Sequence, residues 1–388
     1  MQRGTFRLMK SVNKSIILNK IRISEPISRA QIAKETSLTP PTVSSIVKEL
    51  IEQGLVRESV LGQSSGGRKP TMLHIDSNAF YVIGVDAGPE TVECILTDLT
   101  GEILQRTSSV LKKPLTNAQL ISTLKENIQT ILKQSKINQD KMIGIGVAMH
   151  GVVDVETGTS LVAPNLNLRN TPIKEVLERE FNLTVKVEND ARAMALGESW
   201  FGGHGDVDSM VAVNIGRGVG AGVVISGKLY HGAQGIAGEL GHMTIDLNGD
   251  ICECGNQGCL QTFVSGAAIA ERAEKQIKET VGNLTGKEVF ELARNGSQPH
   301  IDLLRETGRM IGIGLTNLIH LINPGKIVLG GGVMKSEKVI IPTIHETIQK
   351  RALTPEAKQT KVVVTQLGDD ATLLGAVSLL LVELFNPM

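Results

Sequence analysis

The sequence contains few aromatic residues, few cysteines and no long apolar run. Aromatic residues make up 3% of the 388 residues, and 4 residues are cysteines. No segment is apolar over the roughly 20 residues that a membrane-spanning helix needs, and no charged and then apolar leader follows Met1. These absences argue against a membrane protein and against a disulfide-stapled secreted protein, and they predict a cytoplasmic protein.

Glycine content, length and charge distribution give the next indications. The 41 glycines predict many tight turns and close backbone approaches, and a length of 388 residues predicts two or three domains. The net charge is zero, but the first 80 residues carry 12 Lys and Arg against 6 Asp and Glu. A basic N-terminal segment on an acidic remainder predicts an anionic partner for that segment. A solvated basic surface without a partner is the alternative.

Three of the four cysteines stand close together, and a histidine precedes them. Cys252, Cys254 and Cys259 lie within eight residues, and His242 stands ten positions before the first. Three thiolates and one imidazole are a ligand set that a tetrahedral structural zinc ion prefers. The spacing therefore predicts bound Zn²⁺, and a group of buried free cysteines is the alternative. Cys94 lies alone in an apolar run and is predicted to belong to the core.

The N-terminal segment shows the signals of three helices. Apolar residues recur near the helical period from Ser11 to Ile23. Ser28, followed three positions later by Gln31, predicts a capping box that opens a second helix. Thr39 is the predicted N-cap of a third helix, whose first position is Pro40. Two short helices joined by a tight turn predict a helix-turn-helix, which places its second helix in the major groove of DNA.

A predicted hairpin follows these helices and completes a winged helix-turn-helix. A strand is predicted at 55–57, and the Gly- and Ser-rich segment 62–70 is predicted to form the wing. Short polar and basic side chains on these elements are suited to phosphates and base edges. The predicted DNA-binding residues are Arg29, Thr39, Thr42, Ser44, Ser45, Lys48, Arg68 and Lys69. A helical module that docks on another protein is the alternative.

The remainder of the chain alternates buried strands with helices in two similar blocks. Strands are predicted at 81–88 and 92–98 in the first block, and the second block opens with a strand pair over 210–223. A strand in each block runs into a glycine-rich turn, at 86–88 in the first block and at 216–218 in the second. Two α/β halves whose glycine turns face one another would frame a cleft for a ligand.

Motifs of the second block resemble the ROK family, which unites sugar kinases of actin-like fold with bacterial transcriptional repressors that carry a winged helix in front. The resemblance rests on the run 218–222, on Gly232, on the run 238–242 and on the Cys252-x-Cys254-x4-Cys259 knuckle. It covers nearly the whole chain.

The resemblance implies an α/β fold, in which an N-terminal winged helix-turn-helix precedes a two-lobed, actin-like domain of the ROK sugar kinase type. The winged helix is expected at 1–78 and the first lobe at 79–190, completed by a C-terminal helix at 371–388. The second lobe, with the zinc knuckle, is expected at 191–370.

Carried over position by position, the resemblance also implies sugar-binding residues: Asn189, Asp190, Glu239, His242, Gly151, Asn165 and Gln261. Asp190 matches the base that the kinases use to activate a sugar hydroxyl. A carboxylate beside an imidazole held by zinc is suited to hydroxyl groups. Two alternatives stay open, because Asn189 and Asp190 also fit the cap of the following helix, and Gly151 and Asn165 also fit a turn.

The sequence departs from the kinase pattern in its two glycine turns and at one sugar-side position. The kinases have Asp-x-Gly-Gly-Thr in the first turn, where this sequence has Pro89 and Glu90 after Gly88. Pro89 removes a backbone N–H, and Glu90 adds negative charge where a triphosphate would lie. Arg217 replaces a small threonine in the second turn, and Gln261 replaces a glutamate that contacts sugar. These changes predict a sugar sensor without a catalytic step.

The combined features predict a sugar-responsive transcriptional regulator, acting as a repressor of carbohydrate-utilisation genes. The expected partners are a palindromic operator DNA, a monosaccharide effector and further copies of the chain in a homodimer or tetramer. One winged helix reads too few base pairs for useful specificity, which is why an oligomer is expected. No membrane partner is expected. The alternatives are an ATP-dependent sugar kinase that carries a DNA-binding segment, and a docking protein whose effector is another protein.

Overall fold

The computed structural model describes residues 2–61, 70–205, 207–277 and 284–385, with side chains from Val12 to Ser59 and throughout the later ranges. Its N-terminal part contains the helices α1 (Gln2–Ser24), α2 (Arg29–Thr36) and α3 (Pro40–Glu52). The strands β1 (Ile27–Ser28), β2 (Val56–Leu61) and β3 (Thr71–Ile75) form an antiparallel sheet in the order β1-β3-β2. This arrangement of three helices and a hairpin is the predicted winged helix-turn-helix.

Hydroxyl caps start the second and third helices. The Ser28 side chain accepts a hydrogen bond from the backbone N–H of Gln31, and the Thr39 side chain accepts one from the backbone N–H of Thr42. The predicted capping box at α2 is wrong in its second half, because the Gln31 side chain donates to Glu35 Oε1 at 2.8 Å. The hydroxyl alone therefore satisfies the first turn of α2.

The first part of the body is built on a five-stranded sheet. In chain order its elements are β4 (Tyr81–Ala87), β5 (Thr91–Thr97), β6 (Ile103–Val110), α4 (Asn117–Ser135), β7 (Met142–Met149), β8 (Val152–Asp154), β9 (Thr159–Ala163), β10 (Leu168–Thr171), α5 (Ile173–Phe181) and β11 (Thr184–Asn189). The main sheet has the order β11-β7-β4-β5-β6, and β8, β9 and β10 form a small antiparallel sheet beside it.

The second part of the body has a five-stranded sheet of its own, in the order β14-β13-β12-β15-β16. The elements that follow β11 in the chain are α6 (Asp190–Phe201), β12 (Ser209–Ile215), β13 (Val219–Ile225), β14 (Lys228–Leu229), α7 (Gln261–Val264), α8 (Gly266–Gln276), α9 (Gly286–Arg294), α10 (Gln298–Ile322), β15 (Lys326–Gly330), α11 (Glu337–Arg351), α12 (Pro355–Lys358), β16 (Lys361–Val364) and α13 (Ala371–Phe385). Short 3₁₀ helices lie at Gln139–Lys141, Pro164–Leu166, Leu240–His242, Gly332–Ser336 and Gly368–Asp370.

Both five-stranded sheets follow one plan. In the first, β4, β5 and β6 pair antiparallel, and β7 and β11 add parallel strands on the other side of β4. In the second, β12, β13 and β14 pair antiparallel, and β15 and β16 add parallel strands on the other side of β12. Each predicted glycine turn follows the first strand of its sheet. The two turns therefore occupy equivalent positions in the two halves.

Helices α6 and α13 pack together at backbone distance. A Cβ atom at Gly375 would lie 1.9 Å from the carbonyl oxygen of Ala193, and one at Gly197 would lie 2.6 Å from the carbonyl oxygen of Ala371. α6 also packs on β12 and β13, and α13 packs on β4 and β7. This helix pair therefore connects the two five-stranded sheets, and its small residues permit the contact.

The winged helix shares its apolar core with the body. Ile17 and Ile21 of α1 belong to the same buried cluster as Leu373, Val377 and Phe385 of α13. Burial of this joint surface stabilises the position of the N-terminal part on the body. Within the described part of the chain, the search for a helix of sufficient length and apolarity to cross a membrane finds none.

We expect Gly375→Ala to lower the free energy of unfolding by about 2–3 kcal/mol, because the new methyl group meets backbone atoms of α6 that cannot rotate away. Urea denaturation followed by circular dichroism measures the change. Gly332→Ala is the matched control, because nothing lies within 4 Å of a Cβ at that position. Equal stability of the two variants would contradict the proposed tight contact.

Candidate ligand cleft, metal centre and nucleic-acid interface

A cleft of about 890 Å³ lies between the two five-stranded sheets. Both glycine turns line it, through Gly88 on one side and Gly216 and Gly218 on the other. The seven residues predicted to bind sugar also line it: Gly151, Asn165, Asn189, Asp190, Glu239, His242 and Gln261. The structure therefore brings the predicted sugar-binding set and the two turns into one cavity, which is large enough for a small-molecule ligand.

His150 links two of the predicted residues inside this cleft. Its Nδ1 lies 3.2 Å from Asp190 Oδ2, and its Nε2 lies 2.9 Å from Asn165 Nδ2. Because an amide nitrogen only donates, Nε2 accepts and Nδ1 carries the proton that faces Asp190. Burial acts to lower the pKa of His150, but the hydrogen bond and the charge of Asp190 outweigh it, so the pKa is raised. The imidazole thus orients Asp190 and can exchange a proton with it.

Asn189 caps α6 and ties it to the loop after β7. Its Oδ1 accepts hydrogen bonds from two backbone N–H groups in the first turn of α6, at 3.0 and 3.1 Å. Its Nδ2 donates to the carbonyl oxygen of Gly151 and to Asp190 Oδ1, both at 2.9 Å. Gly151 has a φ of 100°, and a Cβ there would lie 2.2 Å from the carbonyl oxygen of Val162. Asn189 is therefore a helix cap and Gly151 lies in a turn, as the alternatives from the sequence allowed, and both residues line the cleft.

Asp86 places a second carboxylate in the cleft. Burial raises the pKa of Asp86 to about 7, and the negative charges of Asp190 and Glu93 add to the shift. A carboxylate with such a pKa gains or loses its proton near neutral pH. The charge of the cleft therefore depends on pH in the physiological range.

A buried ionic network holds the end of β11 behind the cap. Glu188 Oε1 accepts a hydrogen bond of 2.7 Å from Arg192 Nε, and Glu188 Oε2 lies 2.6 Å from His231 Nε2. Arg192 also donates to the carbonyl oxygen of Gly235 at 2.5 Å. Burial acts to raise the pKa of Glu188, but His231 and Arg192 outweigh it and lower the pKa. This network fixes the loop that leads to Glu239 against the first turn of α6.

The four predicted metal ligands lie together. The ligand atoms of His242, Cys252, Cys254 and Cys259 all lie within 4.8 Å of one another. Cys252 Sγ lies 3.7 Å from His242 Nδ1, and Cys254 Sγ lies 3.8 Å from Cys259 Sγ. A tetrahedron with metal–sulfur bonds of about 2.3 Å has sulfur–sulfur edges of about 3.8 Å. The spacing and the donor types therefore fit a tetrahedrally bound metal ion.

The metal cluster and the cleft share side chains. His242 presents Nδ1 to Cys252, and its Nε2 lies 3.9 Å from Glu239 Oε2. Gln261 Nε2 lies 3.3 Å from Cys252 Sγ and donates to it. Burial and the neighbouring thiols raise the pKa of the Cys259 thiol, and a bound cation would stabilise its thiolate. A metal ion here would fix three of the predicted sugar-binding residues through one cluster.

Two of the departures from the kinase pattern form an ion pair. Arg217 Nη1 donates to Glu90 Oε1 at 2.5 Å. Glu90 lies in the turn between β4 and β5, and Arg217 lies in the turn between β12 and β13. The pair therefore bridges the two sheets across the cleft, between the two glycine turns. The guanidinium of Arg217 is therefore paired within the chain, in an ion pair whose side chains are 46% and 71% exposed.

Helix α3 presents a polar face to solvent, as the winged-helix prediction requires. Ser44, Ser45 and Lys48 are exposed, and the opposite face of α3 is buried. Lys48 Nζ lies 3.8 Å from Glu52 Oε1, four residues on, and both side chains are largely exposed. Such exposed pairs are weak, so Lys48 is accessible to an anionic partner.

The remaining predicted DNA-binding residues have mixed positions. Thr39 and Thr42 join their hydroxyl groups at 2.8 Å at the start of α3. Arg29 Nη2 donates to Glu58 Oε1 at 2.7 Å, so its charge is paired within the winged helix. Arg68 and Lys69 lie outside the described residues. The predicted interface is thus centred on α3.

A winged helix-turn-helix in front of a two-lobed α/β body with a ligand cleft defines a DNA-binding regulator on a kinase-like scaffold. The model of the ROK family matches residues 82–383, and the model of the MarR family matches residues 11–62. The chain belongs to the ROK family.

Similar proteins support this assignment along the whole chain. The xylose repressor of Caldicellulosiruptor bescii is 33% identical over 393 residues, which cover 99% of this chain and 98% of that protein. A ROK family transcriptional regulator, described as a homologue of the E. coli MLC protein, superposes with a TM-score of 0.83 at 30% identity, over 97% of this chain and 99% of that one. A ROK family glucokinase from Streptomyces griseus, in complex with glucose and AMPPNP, superposes with a TM-score of 0.69 at 30% identity, over 77% of this chain and 98% of that one. These findings confirm the predicted family, fold and class of transcriptional regulator.

Sequence reasoning did not place several cleft residues in the site. Asp86 and His150 stand at the ends of β4 and β7, which are neighbouring parallel strands. Because the carboxyl ends of parallel strands meet at one edge of a sheet, their positions were a usable signal. Glu188, by contrast, contacts His231, which lies in a loop 43 residues further along the chain, and no local sequence pattern predicts that contact.

We expect Asp86→Asn to raise the free energy of unfolding at pH 8 by about 1–3 kcal/mol. The native state holds the Asp86 proton more tightly than the unfolded state, because the pKa rises from 3.8 to about 7. The ionised carboxylate therefore costs stability increasingly as the pH rises between these values, and asparagine removes that cost. Urea titrations at pH 4, 6 and 8 measure the effect, with little difference expected at pH 4. A difference that does not grow with pH would contradict the role of the carboxyl proton.

Proposed function

We propose that the protein is a sugar-responsive transcriptional repressor that binds operator DNA through α3 and a monosaccharide in the cleft, without phosphoryl transfer. The observation that carries the proposal is the Glu90–Arg217 ion pair between the two glycine turns. The pair places a carboxylate and a paired guanidinium beside the two glycine turns, whereas the opposite side of the cleft keeps an array of hydroxyl-binding groups.

The sugar side of the cleft has the chemistry that carbohydrate hydroxyl groups need. Each hydroxyl donates one hydrogen bond and accepts others, so neighbouring carboxylates, amides and imidazoles are suitable partners. We assign the acceptors to Asp190 and Glu239 and the donor facing them to His242 Nε2. Asn189, Asn165, Gly151 and Gln261 complete the assigned set. His150 positions Asp190 through the hydrogen bond of 3.2 Å.

The nucleotide side is unsuited to a triphosphate. Phosphate groups need backbone N–H donors and unpaired cations. Pro89 supplies no N–H, and the guanidinium of Arg217 is paired with Glu90. A nucleotide would have to break this ion pair and would then meet the Glu90 carboxylate. The second candidate function, an ATP-dependent sugar kinase, is favoured by one observation, the His150–Asp190 pair, which resembles a general base oriented by a hydrogen-bond donor.

The DNA side of the proposal follows from the winged helix. We assign phosphate and base contacts to Ser44, Ser45 and Lys48 on the exposed face of α3, and to Thr39 and Thr42 at its start. The proposed operator is palindromic and is bound by a homodimer or tetramer, because paired winged helices read two half-sites. We infer units at 1–78, at 79–190 together with 371–388, and at 191–370. Because relatives are xylose repressors, xylose is the first effector to test.

The metal in the cluster is proposed to be a structural Zn²⁺. Three cysteines and one histidine are a frequent closed ligand set for zinc, and no ligand position is left for a catalytic water. His242 Nδ1 and the three thiolates would hold the ion. The bound ion would keep the imidazole oriented, so that its Nε2 stays directed to Glu239 and the cleft.

We expect one monosaccharide of a panel containing xylose, glucose and N-acetylglucosamine to bind in calorimetry and to weaken binding of the protein to the DNA upstream of its own gene. Asp190→Asn should weaken sugar binding by about 10- to 100-fold, because a hydrogen bond donated by a hydroxyl to a charged group contributes about 1.5–3 kcal/mol. Lys48→Ala should weaken DNA binding in fluorescence anisotropy and reduce the salt slope by about one.

Matched surface variants serve as controls for both measurements. Asp369→Asn and Lys350→Ala remove the same charges at exposed positions away from the cleft and α3. A coupled ADP-release assay with ATP and each sugar tests the kinase alternative. Turnover above about 1 per second would refute the non-catalytic assignment. DNA affinity that is unchanged by every sugar would refute the effector.

We expect the purified protein to contain about one zinc ion per chain by plasma mass spectrometry, and Cys254→Ser to lose it. Loss of zinc should also lower the melting temperature and weaken sugar binding, since His242 and Gln261 are tied to the cluster. Cys94→Ala is the matched control, because Cys94 is buried in the core and should leave the zinc content unchanged. A zinc content near zero in protein purified without chelators would contradict the assignment.

A further inference from the structure

Helix α6 extends from the ligand cleft to the winged helix. At its first turn, Asn189 caps the helix and Asp190 lines the cleft beside His150. At its end, Trp200 and Phe201 pack into the cluster that contains the winged-helix core. The helix has 12 residues, so at about 1.5 Å per residue its ends are about 18 Å apart.

The contact at the end of α6 involves the winged helix directly. The guanidinium carbon of Arg22, on α1, lies 4.0 Å from the centre of the Trp200 ring. The Phe385 ring packs edge-on against Trp200, with ring centres 5.4 Å apart. Asn19, also on α1, donates to the carbonyl oxygen of Phe385 at 3.1 Å. We call these four residues the Trp200 joint.

A partly buried cation makes this joint sensitive to geometry. Burial lowers the pKa of Arg22 to about 10, in keeping with its position between two aromatic rings. A cation–π contact with a tryptophan is strongest when it is withdrawn from water, and it weakens when the cation leaves the ring face. Small displacements of Trp200 relative to α1 therefore change the energy of the Arg22–Trp200 contact.

Helix α13 follows the same path as α6 and lies in backbone contact with it. Thr372 in its first turn lines the cleft, and Phe385 at its last position belongs to the Trp200 joint. The backbone contacts at Gly197 and Gly375 leave no space for one helix to shift without the other. All residues from Ala191 to Glu198 are buried, so α6 has no free face into which it could bend.

We propose that α6 and α13 form a rigid two-helix element that transmits occupancy of the cleft to the DNA-binding helices through the contact of Arg22 with Trp200. The inference rests on the proposed sugar-responsive function and adds the path of communication. A ligand that binds Asp190 or Asn189 displaces the start of α6. The close contact with α13 carries that displacement to Trp200 and Phe385 of the Trp200 joint. The winged helix then takes a different position on the body, and by linkage its DNA affinity changes.

Trp200 allows a direct test, because the chain contains one tryptophan. When tryptophan is excited selectively over the two tyrosines, the emission of the unmodified protein therefore reports on Trp200. Saturating sugar should change the Trp200 emission with the same midpoint that calorimetry gives for binding, although the ring lies one helix length from the cleft. Unchanged emission during confirmed sugar binding would overturn the inference.

The variant Arg22→Gln tests the function of the joint. It should retain the sugar affinity within about twofold, while the change in DNA affinity caused by sugar falls from at least about fivefold to below about twofold. Arg179→Gln is the matched control, because that arginine is exposed and its ion pair is with Glu175 on its own helix. Phe385→Leu is a second variant of the joint, for use if Arg22→Gln does not fold, as judged by circular dichroism.

The outcomes separate the two proposals. If no sugar binds, or if sugar leaves the DNA affinity of the unmodified protein unchanged, the proposed function fails and the inference falls with it. If sugar binds and releases DNA but the folded joint variants keep full coupling, the inference alone is overturned. Loss of coupling in a joint variant with intact sugar and DNA binding supports it, because a merely structural role would weaken binding itself.

Discussion

The close contact between α6 and α13 is the constraint on which the rest of the structure depends. Glycine at 197 and 375 brings two helix backbones together, and each helix packs on a different five-stranded sheet. The cleft lies between these sheets, so its geometry follows from the helix pair. The same helices reach the winged helix at their far ends. One small-residue interface thus sets the relation of the ligand site to both halves and to the DNA-binding helices.

Under the proposed function, the cleft is that of a phosphotransfer scaffold that has lost one ligand and kept another. The sugar side depends on a helix cap, a buried ionic network and a metal cluster, each of which also stabilises the fold. The nucleotide side depends on exposed turns, in which Pro89, Glu90 and Arg217 alter hydrogen bonding and charge without disturbing a core. Substitutions in such turns have small effects on stability. Sugar binding and nucleotide binding are therefore separable, because residues of the nucleotide side can change with little loss of stability and those of the sugar side cannot.

Local features were predictable from the sequence, and contacts between distant segments were not. The metal ligands span 18 positions, and the caps of α2 and α3 depend on neighbouring residues, so spacing was sufficient to predict them. The capping box failed in part because Gln31 had a second partner one turn away, in Glu35. The Glu90–Arg217 pair joins positions 127 residues apart, and pattern gave each residue a role but not its partner. The same holds for Arg22 and Trp200, whose contact exists only once α1 lies on the body.

The position of α13 in the chain has a consequence for biosynthesis. This helix covers Gly84, Gly144 and Gly146 of the first sheet, yet it is translated after nearly all of the rest of the chain. Until α13 has been translated, the apolar face of that sheet and the buried face of α1 are not covered by this helix. An apolar face that lacks its cover is prone to aggregation until α13 has been synthesised. Folding of the first half is therefore completed only after synthesis of α13.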